Sequence, residues 1–222
     1  GLAVDGGGTI AINCQSTDTI NLVYSGNVSI ASTASSALYC KGSLSITGSG
    51  GTLTIDSRSQ DPWHVAVDVR VLAIGGNAQV NAESANSGTN PYAVVIYGQN
   101  GVTVTDSASL TTVATGDDAS GIWVERGDIT ISTTGTVTAN GKGTGGGLGI
   151  HNGKKLDMSS GSLALTGTPL LGGNFSDYNI TGGNITVDGT QVYKAVLTLD
   201  DVNAITAIDA ITAPASGYGV SS

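Results

Sequence analysis

Charge is scarce in this chain of 222 residues: Asp, Glu, Lys and Arg together make up 11%, against a usual ~25%. What charge there is leans acidic, with 17 acids to 8 bases and a net of -9, so little surface is available to neutralise phosphates and nucleic-acid binding is set aside. Two cysteines, Cys14 and Cys40, are too few for a disulfide scaffold and lack the paired spacing of a zinc site. No apolar run approaches the ~18 to 20 residues of a membrane-spanning helix, which argues against membrane insertion. The chain opens at Gly1 without a charged or apolar leader, so it reads as a mature or excised piece.

Low charge often accompanies disorder, but 39% of the residues are hydrophobic and they recur in short alternating runs that a disordered chain would not need. Those runs repeat. Apolar-x-apolar pairs fall at Leu44/Ile46, Leu72/Ile74, Val102/Val104, Ile129/Ile131 and Leu156/Met158, spaced 28, 30, 27 and 27 residues apart. A second series follows: Leu53/Ile55, Ala78/Val80, Leu110, Val137/Ala139, Leu163/Leu165 and Ile185/Val187. A third precedes the first, at Leu38/Cys40, Val67/Val69, Val94/Ile96, Ile122/Val124 and Leu148/Ile150.

Three short strands per repeat, with length variation on one connection, predict a coil in which each strand pairs in parallel with its counterpart one turn on. The fold class expected is therefore all-β, a single-stranded parallel β-helix (β-solenoid) of about seven rungs over residues 1–190. Turn residues such as Gly98-Gln99-Asn100-Gly101 and Arg126-Gly127 mark the short corners. The longer, irregular connections run from Ser57 to His64, Glu83 to Tyr92, Thr115 to Ser120 and Asn140 to Gly146.

The chain's start fits one earlier turn and aligns Ile12 with Leu38 and Cys14 with Cys40. Stacked strands lie ~4.8 Å apart, so the two sulfurs are placed either to be bonded or to pack as reduced thiols. Residues 191–222 lose the repeat. They are expected to be a C-terminal strand that caps the coil, or the start of a following module.

Segments such as Gly127-Asp128-Ile129-Thr130-Ile131-Ser132-Thr133-Thr134-Gly135-Thr136-Val137-Thr138-Ala139-Asn140-Gly141 and Gly161-Ser162-Leu163-Ala164-Leu165-Thr166-Gly167 resemble the repeats of large secreted, cell-wall-associated Firmicutes proteins of the carbohydrate-binding or adhesin-like β-helix type. The resemblance covers roughly residues 9–190 and rests on turn and core positions. It implies a right-handed coil on a bacterial surface, with affinity for acidic polysaccharide aided by calcium, in a longer chain with neighbouring modules. Ser/Thr/Asn-rich strands, an acidic balance and scarce cysteine also fit an extracellular bacterial protein.

Strand parity gives two outward columns on the face of the Leu38 series. The upper is Tyr39, Asp68, Val95, Trp123 and Gly149; the lower is Lys41, Arg70, Tyr97, Glu125 and His151. Aromatic and charged groups are rare in this chain, so a ladder of them, rising ~4.8 Å per turn, suits a linear polymer whose sugar rings lie on aromatic faces. The candidate ligand-binding residues are Lys41, Arg70, Tyr97, Trp123, Glu125 and His151. The long connections add Asp56, Arg58, Asp61, Trp63 and His64, and Asp117 with Asp118 is the candidate metal pair, calcium being the ion that takes six to eight oxygens.

The function expected is a non-catalytic surface module that binds polysaccharide or host glycan. A structural spacer that displays other modules is the alternative of a different kind. A third is a polysaccharide lyase or hydrolase of the pectin-active type: Asp68 and Glu125, two turns and ~9.6 Å apart, lie at the upper end of the ~6.5 to 9.5 Å of an inverting carboxylate pair.

Overall fold

A computed structural model describes residues 1–87, 93–142, 148–150, 155–167, 171–173, 177–187 and 190–194. Among these residues there is no helix, and so none long and apolar enough to cross a membrane. The strands form one continuous sheet. All of its pairings but one are parallel, and each parallel pairing joins a strand to its counterpart 22 to 30 residues on. The chain is a parallel β-helix.

It has three faces. The first stacks Ile12–Cys14, the start of Leu38–Gly48, the start of Val67–Gly76, Val94–Gly98, Ser120–Val124, Leu148–Ile150 and Leu171–Gly173. The second begins with Thr19–Tyr24 and continues through the second halves of Leu38–Gly48 and Val67–Gly76 to Gly101–Asp106. It then takes the first halves of Asp128–Asn140 and Lys155–Thr166 and ends at Asp177–Ile180. The third runs from Leu2–Asp5 through Val28–Ser32, Leu53–Ser57, Gln79–Ser84 and Ser109–Ala114 to the latter halves of Asp128–Asn140 and Lys155–Thr166, ending at Asn184–Val187.

Alternation explains why these segments become strands of a coil. On the second face Leu44, Leu72, Val102, Ile129 and Leu156 stand in consecutive register as one interior file, each at most 2% exposed. Ile46, Ile74, Val104, Ile131 and Met158 form the file beside it, and Leu53, Val80, Leu110, Val137 and Leu163 line the third face. Each such side chain removed from water contributes roughly 1.5 to 3 kcal/mol. The intervening residues, Thr54, Thr103, Thr130 and Thr138 among them, point outward on β-branched side chains that suit a pleated surface.

Two assignments shift. Val67 pairs with Ile96 and Val69 with Gly98, so the interior pair of that rung is Ile96/Gly98 and not Val94/Ile96. Likewise Leu53 pairs with Val80 and Ile55 with Ala82, which moves Ala78 to the corner. Gly98 is confined by its neighbour, for a Cβ there would stand 2.7 Å from Cγ2 of Val102.

Polar groups also lie inside. Ser32, Ser57 and Ser84 stack in register at the end of the third face, all buried, and their hydroxyls donate to backbone carbonyls of the connections between the third and first faces, as Ser32 does to Thr9 (2.8 Å) and Ser57 to Ser35 (2.8 Å). Thr133, also buried, donates to the Ala108 carbonyl (2.7 Å) and accepts from the Gly135 N–H (2.9 Å), which pins the next corner. These bonds satisfy backbone groups where the chain leaves the sheet.

The two ends differ. The first rung has a neighbour on one side only among the described residues, and its core position Leu2 is 64% exposed. At the other end Thr190–Lys194 folds back antiparallel against Asn184–Val187. Residues 195–222, and with them the rest of the expected C-terminal element, lie outside the described residues.

Candidate functional site

The first face carries its outward side chains in two files. Register places Tyr39, Asp68, Tyr97, Trp123 and Gly149 one above another. Tyr97 therefore stands in the upper file, between Asp68 and Trp123, where Val95 was expected, and Val95 is wholly buried. The physical reason is the run Ala93-Val94-Val95-Ile96, buried throughout, which offers no alternation from which to read parity. The lower file holds Arg70 and Glu125 with Gln99 between them: the Gln99 N–H donates to the Val69 carbonyl (2.9 Å), and the Arg126 N–H to the Gln99 carbonyl (2.8 Å). Lys41 and Gly42 together oppose the single Arg70, a bulge that turns the chain onto the second face.

Tyr39, Asp68, Tyr97 and Trp123 are each partly exposed, so rings and carboxylate reach solvent along a line. The Tyr97 hydroxyl donates to Oε2 of Glu125, and Oε1 of Glu125 pairs with Nη2 of Arg126 at 3.1 Å. With the Asn100 amide turned to satisfy both its ends, its Oδ1 accepts from Nε of Arg70 (3.0 Å) and its nitrogen donates to the Gln99 carbonyl (3.2 Å). These contacts fix the orientations of Tyr97, Glu125 and Arg70. Lys41 is exposed and makes no ion pair among the described residues.

Asp68 differs from the other acids of this face. It forms no hydrogen bond or ion pair with any described residue, and burial in the file pushes its carboxyl up to about 6. Its file neighbours are the two tyrosines, Tyr39 on one rung and Tyr97 on the next. A carboxylate so placed has unused acceptor capacity for hydroxyl or amine donors.

The remaining candidates do not join this line. His151 lies outside the described residues. Asp117 pairs with Lys142 at 3.1 Å, Asp118 adopts φ +60° in the loop beside it, and among the described residues no three His, Cys, Asp or Glu side chains converge. Asp56 is paired with Arg58 (2.7 Å), and Asp61 accepts from the Trp63 N–H (2.9 Å) in the connection leading to Asp68. Trp63 itself is 57% exposed. Asp68 and Glu125 stand in different files two rungs apart, and Glu125 is already engaged by Tyr97 and Arg126.

One feature escaped the sequence reading altogether: a groove of about 530 Å³ on the third face beside the first described rung, lined by Leu2, Asn27, Val28, Thr52, Thr54 and Asn81 among others. Its polar lining, Asn27, Thr52, Thr54 and Asn81, is of the same residue types as the outward Ser, Thr and Asn common on the second and third faces.

Fold and site together define a parallel β-helix with an aromatic and acidic file on one face. The chain matches no protein-family model, no curated protein and no solved structure.

Proposed function

We propose that this chain is a non-catalytic module that binds a polysaccharide or glycan along its first face, in the setting of a bacterial cell surface. The observation that supports this reading is the unbroken file Tyr39, Asp68, Tyr97 and Trp123, four consecutive rungs each offering a ring or a carboxylate to solvent. Rings present a flat apolar surface to the C–H face of a sugar, and Asp68, Arg70 and Glu125 supply acceptors and donors for its hydroxyls. The ~4.8 Å rise repeats those contacts along a chain molecule, so affinity accumulates over several weak contacts.

A stiff spacer is the second reading, favoured by the outward residues of the other two faces, which are largely Ser, Thr and Asn. Retention of the wild type, Trp123→Ala and Tyr97→Ala proteins on a glycan array distinguishes the two. The binding reading expects wild-type retention on at least one glycan and reduced retention of both variants on it. Retention on none, or equal retention of all three, overturns it in favour of the spacer. Release of unsaturated or reducing products from polygalacturonate, abolished by Glu125→Gln, would instead make the module an enzyme.

A further inference from the structure

We propose that Cys14 and Cys40 are a dithiol that oxidises to a disulfide and so ties the first rung of the coil covalently to the second. The inference is independent of any glycan. Its basis is register: Cys14 and Cys40 are directly opposed in the parallel pair formed by Ile12–Cys14 and Leu38–Gly48. Neighbouring strands put such partners ~4.8 Å apart at Cα, inside the ~4.4 to 6.8 Å that a disulfide spans. Both thiols are free, and both belong to the inward file, Cys40 buried and Cys14 half-buried. Further along the same file stand Val69, Gly98 and Val124, so the sulfur pair joins the first two described rungs.

That location gives the bond its effect. Among the described residues Leu2–Asp5, Ile12–Cys14 and Thr19–Tyr24 each pair on one side only, so in the 222-residue chain this rung holds fewer cross-rung hydrogen bonds than those inside the stack and opens before them. A bond from Cys14 to Cys40 closes a loop that holds Thr19–Tyr24 and Val28–Ser32 and ties the end of Ile12–Cys14 to the next rung, so it restricts the opening of those strands and leaves Leu2–Asp5 outside the loop.

Access sets the order of events. Cys14 is half-buried and Cys40 is buried, so an external disulfide such as oxidised glutathione meets Cys14 first. The Cys14 thiolate attacks one glutathione sulfur; an S–S bond forms to Cys14 and one glutathione thiolate leaves. The Cys40 thiolate then attacks Sγ of Cys14 and expels the second glutathione. Two protein thiols lose two protons and two electrons, and one oxidised glutathione becomes two reduced ones. Burial, the hydrogen bond and charge of Cys14 and, more weakly, the charge of Asp68 push the Cys40 thiol up to about 12. Burial, the largest of these causes, persists when Cys14 carries the mixed disulfide, so the Cys40 thiolate stays scarce at neutral pH and the second step speeds up as the pH rises.

The test incubates the full chain with oxidised glutathione at several pH values and follows alkylation, peptide mass and amide exchange. The expected result is an intramolecular Cys14–Cys40 link that forms faster at higher pH, with exchange over Ile12–Cys14 and Thr19–Tyr24 slowed at least tenfold and exchange in the central rungs unchanged. Cys40→Ala should stop at a mixed disulfide on Cys14, and Cys14→Ser should stay unmodified while folded. Two thiols still alkylatable after treatment and unfolding, a persistent mixed disulfide in the wild type, links only between molecules, or identical exchange in oxidised and reduced protein would each overturn the proposal.

Discussion

The hydroxyl of Tyr24 is held by both backbone groups of Gln79: it accepts from the N–H at 2.6 Å and donates to the carbonyl at 2.8 Å. Tyr24 ends the first strand of the second face, whereas Gln79 begins the third-face strand two rungs later. The ring passes over Gly48, where a Cβ would stand 2.6 Å from Cζ of Tyr24. One buried phenol thereby joins three rungs at a corner.

Tyr24→Phe keeps the ring and loses both bonds, which should cost about 1 to 2 kcal/mol in urea unfolding. Gly48→Ala displaces the ring and should cost about 1 to 3 kcal/mol. Because the two changes act on the same contact, their effects should not add in the double variant.

The inward and outward files should respond differently to truncation. Ile129→Ala removes a side chain that is 1% exposed between Val102 and Leu156, and should cost about 2 to 5 kcal/mol. Thr130→Ala, one residue on and outward, should change stability by about 0.5 kcal/mol or less by the same measurement.

Asp68 should make stability fall as the pH rises through its titration. The unfolded carboxyl ionises near 3.8 and the folded one at about 6, so the folded state binds this proton more tightly. Above pH 6 both states are ionised and the folded carboxylate bears the full burial penalty. As the pH drops from 6 towards 3.8 the folded group protonates first and the penalty is relieved. Asp68→Asn should therefore stabilise the protein by on the order of 2 kcal/mol at pH 8. Thermal unfolding of both proteins across this range should show the advantage shrinking below pH 6.

Binding and stability should separate at Trp123. On any glycan the wild type retains, Trp123→Ala should weaken binding about three- to tenfold, the worth of one ring contact. Trp123 is only partly exposed, so the melting temperature should fall somewhat, and binding is compared well below the melting temperature of either protein, where both are folded. Arg126→Ala removes an exposed ion pair with Glu125 and should alter stability by about 1 kcal/mol or less.

The coil was legible where aliphatic residues alternate with Thr or Ser. The Leu44, Leu72, Val102, Ile129 and Leu156 file and the pairing of Cys14 with Cys40 follow from spacing alone, and both stand in the structure. Register became illegible at Val94–Gly98, where a buried run hides parity and Gly98, with no side chain, fills an interior position. That slip of two residues moved Tyr97 out of line with Trp123, so the aromatic file is more continuous than the spacing implied. The serine stack Ser32, Ser57 and Ser84 was missed for a related reason: a buried hydroxyl and an exposed one are the same letter, and only the carbonyls around them tell the two apart.

Stacked parallel rungs also decide how the molecule answers a mechanical load. Backbone bonds between rungs lie along the long axis, so tension from end to end strains one layer at a time, and each yielding layer releases a length of 22 to 30 residues. Force applied across the axis meets the sheets edgewise and must break many such bonds together. A body built this way pays out chain rung by rung in one direction and is stiff in the other.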